Sequence, residues 1–192
     1  MTIALEGNWH KGYAFDVHTL SSTYLGPDEH GHDKWENTRS EMGELVYKLK
    51  YRQDKSTLPS IVSLLEKIKG IEKFHFIVPI PPTDRSRQFQ PVTEIAQAIG
   101  QRHKVAVLAD LLVKTPGGPQ LKNVDDLNER RETLMASMQI ADGSRVAGRD
   151  VLLIDDLYRS GATLSVATSL LYDKGKANKV CVLAMTKTRS NR

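Results

Sequence analysis

A single cysteine, Cys181, stands in a chain of 192 residues, so neither a disulfide nor a cysteine-based zinc site forms within it. It lies in the apolar run 179–185 and reads as a buried strand thiol rather than a reactive nucleophile. No apolar stretch reaches the roughly 18 residues of a membrane span, and residues 1–10 lack a cationic region followed by an apolar one. The chain is therefore expected to be cytoplasmic. There is no G-x-x-x-x-G-K-[ST] segment and no G-x-G-x-x-G opening a helix, which sets nucleoside triphosphate and dinucleotide loops aside. Internal repeats and low-complexity tracts are also absent. Charge of one sign is scarce too: 27 basic residues against 23 acidic ones leave +4, which suits anionic ligands but does not mark a nucleic-acid binder.

What is present suffices for one ordinary globular domain with a modest appendage, at 40% hydrophobic and 26% charged residues. From Asp33, with Glu36 three residues on, Trp35, Thr38, Met42, Leu45, Val46 and Leu49 share one helical face, which predicts a helix over 33–51. Ile61, Leu64, Leu65 and Ile68 repeat the pattern up to Gly70, and the apolar run 74–80 predicts a buried strand that stops at Pro81 and Pro82. Pro91 opens a further helix through Val92, Ile95, Ala96 and Ile99, followed by a strand over 104–109. Residues 114–126 carry prolines, glycines and charges without apolar periodicity and read as a long loop, with a short helix over 128–135. Strands are expected at 137–140, 151–154 and 179–186, with a helix over 163–174 before the last of them. Strands alternating with helices imply an α/β fold with a doubly wound, mostly parallel sheet. In residues 1–32 Tyr13, Phe15 and Val17 alternate with Ala14, Asp16 and His18, predicting a small β appendage or hood, with the α/β domain spanning 33–192.

The chemistry concentrates in residues 151–163. Four apolar residues precede Asp155 and Asp156, and a small, hydroxyl-bearing loop, Arg159, Ser160, Gly161, Ala162 and Thr163, opens an amphipathic helix. Acids that follow a buried strand of an open parallel sheet point into the crevice where ligands sit. Unpaired backbone N–H groups at a helix start, with the positive end of its dipole, bind phosphate, and glycine permits close approach. Each half alone has a bland reading, a turn cap or an ordinary helix start. Joined at this spacing they fit a ribose phosphate, the acids on the ribose hydroxyls and the loop on the 5-phosphate.

This segment resembles the 5-phosphoribosyl-1-pyrophosphate (PRPP) motif of type I phosphoribosyltransferases, and more closely that of the ComF-type, competence-associated branch. Residues 45–52, ending in Lys50, Tyr51 and Arg52, are similar to that branch's helix-ending lysine-tyrosine element. Residues 78–82 with Arg85 and Arg87 resemble its pyrophosphate loop, and Gln120, Leu121, Leu127, Arg130 and Arg131 its mobile loop. The resemblance covers about residues 40–190. It implies that Asp155 and Asp156 bind the ribose hydroxyls, that residues 159–163 hold the 5-phosphate, and that a loop with Pro81 and Pro82 contacts pyrophosphate. Arg85, Arg87, Lys122, Arg130 and Arg131 become candidate pyrophosphate cations, each with the alternative of an ordinary solvated face. Magnesium would enter with PRPP near Asp155 and Asp156 rather than in a protein cage. One departure is plain: no cysteine precedes Cys181, so the zinc module that opens many ComF-type proteins has no counterpart, which puts a DNA-uptake role in doubt. His18, His30 and His32 with Asp28, Glu29 and Asp33 admit a metal site or, as readily, a polar turn.

Three functions follow as expectations. The first is transfer of a phosphoribosyl group to a nitrogen nucleophile with release of pyrophosphate, for which no dedicated general base is evident. A regulator that binds PRPP or a nucleotide without turnover is the second. The third is a nucleic-acid-associated protein of the competence type, motivated by pI 9.1, the competence resemblance and the basic tail Lys187, Arg189 and Arg192. A homo-oligomer is compatible with each.

Overall fold

The computed structural model describes residues 2–84, 86–114 and 137–189. Strands β1 (Ile3–Ala4), β2 (Lys11–Val17), β5 (Phe76–Pro79), β6 (Ala106–Val107), β9 (Asp150–Tyr158) and β10 (Lys179–Lys187) form one sheet, in the order β1-β2-β10-β9-β5-β6. Only β1 runs antiparallel to its neighbour. Two ribbons stand apart from this sheet: β3 (Thr19–Pro27) with β4 (Asp33–Arg39), and β7 (Leu112–Lys114) with β8 (Met138–Ile140). Four α-helices are described, α1 (Glu41–Tyr51), α2 (Leu58–Leu65), α3 (Pro91–His103) and α4 (Ala162–Asp173).

The apolar run at the head of β9 explains the layering. Val151 and Leu153 face one side, where Leu164, Val166, Ala167 and Leu171 of α4 pack on them with Val78, Val180 and Val182. Leu152 and Ile154 face the other, against Met42, Val46 and Leu49 of α1, Ile61 and Leu65 of α2, and Ile95 and Ile99 of α3. A strand buried on both faces has no polar side to offer, hence four consecutive apolar residues. From β5 the chain leaves through α3 to β6 at one edge, and from β9 through α4 to β10 on the opposite side. The adjacent strands β5 and β9 thus lead away from each other, and a crevice opens between their carboxyl ends.

Three expectations change. No helix begins at Asp33: residues 33–39 form β4, Trp35 pairs with Tyr24 across the ribbon, and α1 starts at Glu41. Its true cap is Ser40, whose Oγ accepts the Gly43 N–H at 3.0 Å, while Trp35 and Thr38, three residues apart on β4, lie on opposite faces of the ribbon rather than on one helical face. The 137–140 strand does not join the main sheet but pairs antiparallel with β7, so the parallel sheet ends at β6. In the N-terminal region, β2 is an interior strand of the main sheet, parallel to β10, and the projecting element is the β3–β4 hairpin. Residues 28–32 are that hairpin's turn, where Asp28 Oδ1 accepts the N–H groups of His30 and His32 at 2.8 and 2.9 Å. The loop over 115–126 and the helix over 128–135 lie outside the described residues.

Candidate functional site

The site forms where β9 outruns its neighbour. Pairing with β5 ends at Pro79 opposite Ile154, and the Ile80 N–H makes the last bond to the Ile154 carbonyl at 2.9 Å. Beyond that point β9 is paired only with β10, through Tyr158. Asp155 and Asp156 therefore sit within the strand, on the stretch that β5 has left, rather than in a loop past its end. The chain leaving β5 forms the opposite wall, and a cleft of about 210 Å³ lies between them. Pro81, Pro82, Arg87, Asp155, Asp156 and Thr163 all line it, so the structure brings together residues from both motif segments. Arg159, Ser160, Gly161 and Ala162 are not in its lining; they form the adjoining turn into α4. Arg85, Lys122, Arg130 and Arg131 lie outside the described residues.

The start of α4 is left open by its turn. Gly161 is the N-cap at φ +78°, a left-handed conformation that glycine adopts without strain, and no side chain caps the helix. A Cβ at Gly161 would fall 2.8 Å from the Tyr158 ring, so the turn is also too tight for a larger residue. Tyr158 is braced edge-on by Trp9, with ring centroids 6.4 Å apart, and Trp9 Nε1 donates to the Leu5 carbonyl at 3.0 Å. Asn8 Nδ2 adds bonds to the Ser165 carbonyl and Ser169 Oγ. The N-terminal segment thus holds the first turn of α4 in place.

Charge in the cleft is tightly coupled. The Asp156 N–H donates to Asp155 Oδ1 at 2.9 Å, and Lys50 Nζ lies 2.5 Å from Asp156 Oδ2, which is buried. Burial first, and then the neighbouring Asp156 carboxylate, push Asp155 up to about 8, with the hydrogen bond from the Asp156 N–H and then Lys50 and Lys114 opposing them. For Lys50 burial favours the neutral amine, yet the Asp156 carboxylate outweighs it and the net direction is upward. Lys114, at the end of β7, is moved down by burial, with Asp155 pulling the other way, and its Nζ donates to Thr83 Oγ1 at 2.7 Å. Gln90, at the entry to α3, lines the same cleft, and its buried Oε1 has no hydrogen-bond partner among the described residues.

Lys50, Thr83, Gln90 and Lys114 were not singled out as site residues by sequence reasoning. For Lys50 a signal existed: it continues the buried face of α1 at helical spacing from Gly43 and Val46, where a lysine needs an acidic partner. His18 also reaches the site indirectly. Its Nδ1 is 3.1 Å from Thr186 Oγ1, which in turn donates to the Asp156 carbonyl at 3.0 Å. Burial, reinforced by Arg39, moves the His18 imidazole down. No group of three or more His, Cys, Asp or Glu side chains disposed to hold a metal occurs among the described residues. The two adjacent carboxylates fit an ion that brings most of its ligands with a phosphate substrate, as magnesium does.

Among solved structures the chain is similar to the glutamine PRPP amidotransferase from B. subtilis complexed with ADP and GMP. The TM-score is 0.53 at 14% identity, covering 82% of this chain and 34% of that one. It is similar at the same coverage to a structure described as the allosteric regulatory enzyme of purine biosynthesis, with TM-score 0.51 and 13% identity. The chain thus spans about a third of the length of these structures. No protein-family model and no curated protein matches it. The fold is the type I phosphoribosyltransferase fold, a mostly parallel sheet flanked by helices with extra antiparallel strands toward the N-terminus. No helix among the described residues is long and apolar enough to cross a membrane.

Proposed function

We propose that this chain binds PRPP and transfers its phosphoribosyl group to a nitrogen nucleophile, releasing pyrophosphate. The observation that carries the reading is the convergence, at the β5/β9 crevice, of an acid pair, an uncapped helix start and a loop bearing prolines and Arg87. In this reading Asp155 and Asp156 accept the ribose hydroxyls, and the backbone N–H groups of residues 160–163 with the Ser160 and Thr163 hydroxyls hold the 5-phosphate. Pro81, Pro82 and Arg87 shape the pyrophosphate wall, and Arg85, Lys122, Arg130 and Arg131 are proposed as further cations for the leaving group. Held at both ends, the ribose presents C1 to the acceptor, and binding does the work of orientation. The chemistry that magnesium supplies when bound beside Asp155 and Asp156 is neutralisation of charge on the pyrophosphate oxygens. Two segments that carry the ComF-type resemblance, α1 through Lys50 and the loop after β5, meet at the cleft, which supports that branch. The β3–β4 hairpin is proposed as the hood from which the acceptor is chosen.

Calorimetric titration of PRPP into the protein with and without magnesium tests the binding, and pyrophosphate release with a panel of bases and amines tests the transfer. Magnesium-dependent binding with release is the expected result. Binding without release would replace the enzyme by a PRPP-binding regulator, and no binding in either condition overturns the reading.

A further inference from the structure

The two acids at the floor of the cleft stand among cations that the chain itself supplies. Three basic side chains, Lys50, Arg87 and Lys114, line the same cleft as three acidic ones, Asp84, Asp155 and Asp156. Two of these groups form ion pairs, Lys50 at 2.5 Å from Asp156 Oδ2 and Arg87 Nε at 3.6 Å from Asp84 Oδ2, while Lys114 Nζ donates to Thr83 Oγ1 at 2.7 Å. Of these the Lys50 contact is the most enclosed, its two side chains being 23% and 9% exposed. An ion pair so shielded from water is weakly screened, and removing one partner would leave an uncompensated charge.

The helix that delivers Lys50 has little freedom to withdraw. At its start Ser40 Oγ accepts the Gly43 N–H and donates to the Val17 carbonyl, and a Cβ at Gly43 would fall 2.2 Å from the His18 carbonyl oxygen. At its end Gln53 Nε2 donates to the Lys50 carbonyl at 3.1 Å. Only the side chain can move away. A divalent ion arriving alone would have to displace that ammonium, and magnesium gives up its own water reluctantly when only two carboxylates are offered in return. A diphosphate changes both terms, since its oxygens add ligands for the metal and negative charge for the released ammonium.

We propose that Lys50 is a resident counter-cation that keeps a bare divalent metal off Asp155 and Asp156, so that the metal enters only together with a diphosphate-bearing ligand. The identity of that ligand as PRPP rests on the function proposed above; the exclusion of free metal does not. The test uses the full chain and manganese(II) as the probe, with free ion followed by electron paramagnetic resonance and no other ligand present. Lys50→Gln keeps a donor for Asp156 but removes the charge, and it should bind manganese at least about tenfold more tightly than the unaltered protein. Lys50→Arg keeps the charge and should exclude the ion as the parent does. If Lys50→Gln binds manganese no better than the parent, or if its gain survives addition of Asp156→Asn, the proposal is overturned. Repeating the titration with PRPP separates the two readings. Should PRPP fail to draw manganese into the parent protein, the PRPP function falls, while the metal-alone comparison still decides the role of Lys50.

Discussion

The β9–β10 pair and the β3–β4 hairpin are built from strands of similar length yet stand in opposite environments. Val151, Leu152, Leu153 and Ile154 in β9 are 0–4% exposed, whereas Leu20, Tyr24, Leu25 and Trp35 in the hairpin are 49–53% exposed. The first pair is covered by helices on both faces; the second is held by its own cross-strand contacts. Those are the tilted Tyr24 and Trp35 rings at 5.0 Å, Ser22 Oγ donating to Asn37 Oδ1 at 2.7 Å, and the Tyr24 hydroxyl donating to Asp33 Oδ1 at 2.9 Å. A two-stranded ribbon on its own is marginal in water, so this one depends on its base, where Ser40 and His18 tie it to β2 and Arg189 Nη1 donates to the Leu20 carbonyl. Stability therefore resides in the sheet, and the hairpin is free to vary without unfolding it. The acid pair belongs to the stable half but sits at its open margin, where β5 has turned away.

The sharpest way to test that division is at the acids. Asp155→Asn combined with Asp156→Asn should weaken PRPP binding by about 100-fold or more, from two lost charge-assisted hydrogen-bond sets, while far-ultraviolet circular dichroism stays unchanged. Retained affinity in calorimetry would remove the acids from the site. Next in size is the core itself: Leu153→Ala should cost about 3 kcal/mol in denaturant unfolding through the cavity it leaves, whereas Leu25→Ala in the hairpin should fall within about 0.5 kcal/mol of the parent. Equal losses at both positions would mean that the hairpin is as much part of the cooperative unit as the sheet. At the hinge between the regions, Ser40→Ala should cost about 1 kcal/mol, since Ser40 caps α1. Trp35→Ala should cost no more than about 1 kcal/mol, the scale of one exposed cross-strand pair.

The smallest effect concerns pH. The folded state holds the His18 imidazole below its ordinary value, so folding favours the neutral ring. Its contribution is present above the unfolded value of 6.5 and is lost as pH falls through the folded one. The parent should lose more stability than His18→Gln between neutral and mildly acidic pH, measured by paired denaturant titrations. Parallel pH profiles would show that His18 makes no such contribution.

Much of this architecture was legible because apolar periodicity and chain punctuation are local. Pro91 starts α3, the run 151–154 is a strand buried on both faces, and Gly161 opens α4. The misreading at Asp33 has an equally local cause: Trp35, Thr38 and Met42 lie at spacings that a helix and a strand–turn–helix both satisfy, and Asp33 and Ser40 are both competent caps. Nothing within residues 33–42 separates these; pairing with β3 does. The acids, the small loop and Arg87 were candidates from the sequence, and the cleft places the acids beside Arg87 and Thr163. Lys50 and Lys114 stand 105 and 41 residues before Asp155 in the chain, too far for any spacing rule to join them to it.

By itself, then, the sequence determined the mostly parallel α/β class and singled out residues 151–163 as the candidate site, because both are written in contiguous residues. Only the tertiary structure decided which strands lie beside β9, where β5 parts from it, and which cations stand against the acid pair. Those facts depend on contacts between distant parts of the chain, settled when both faces of the sheet are covered and each buried charge finds its partner.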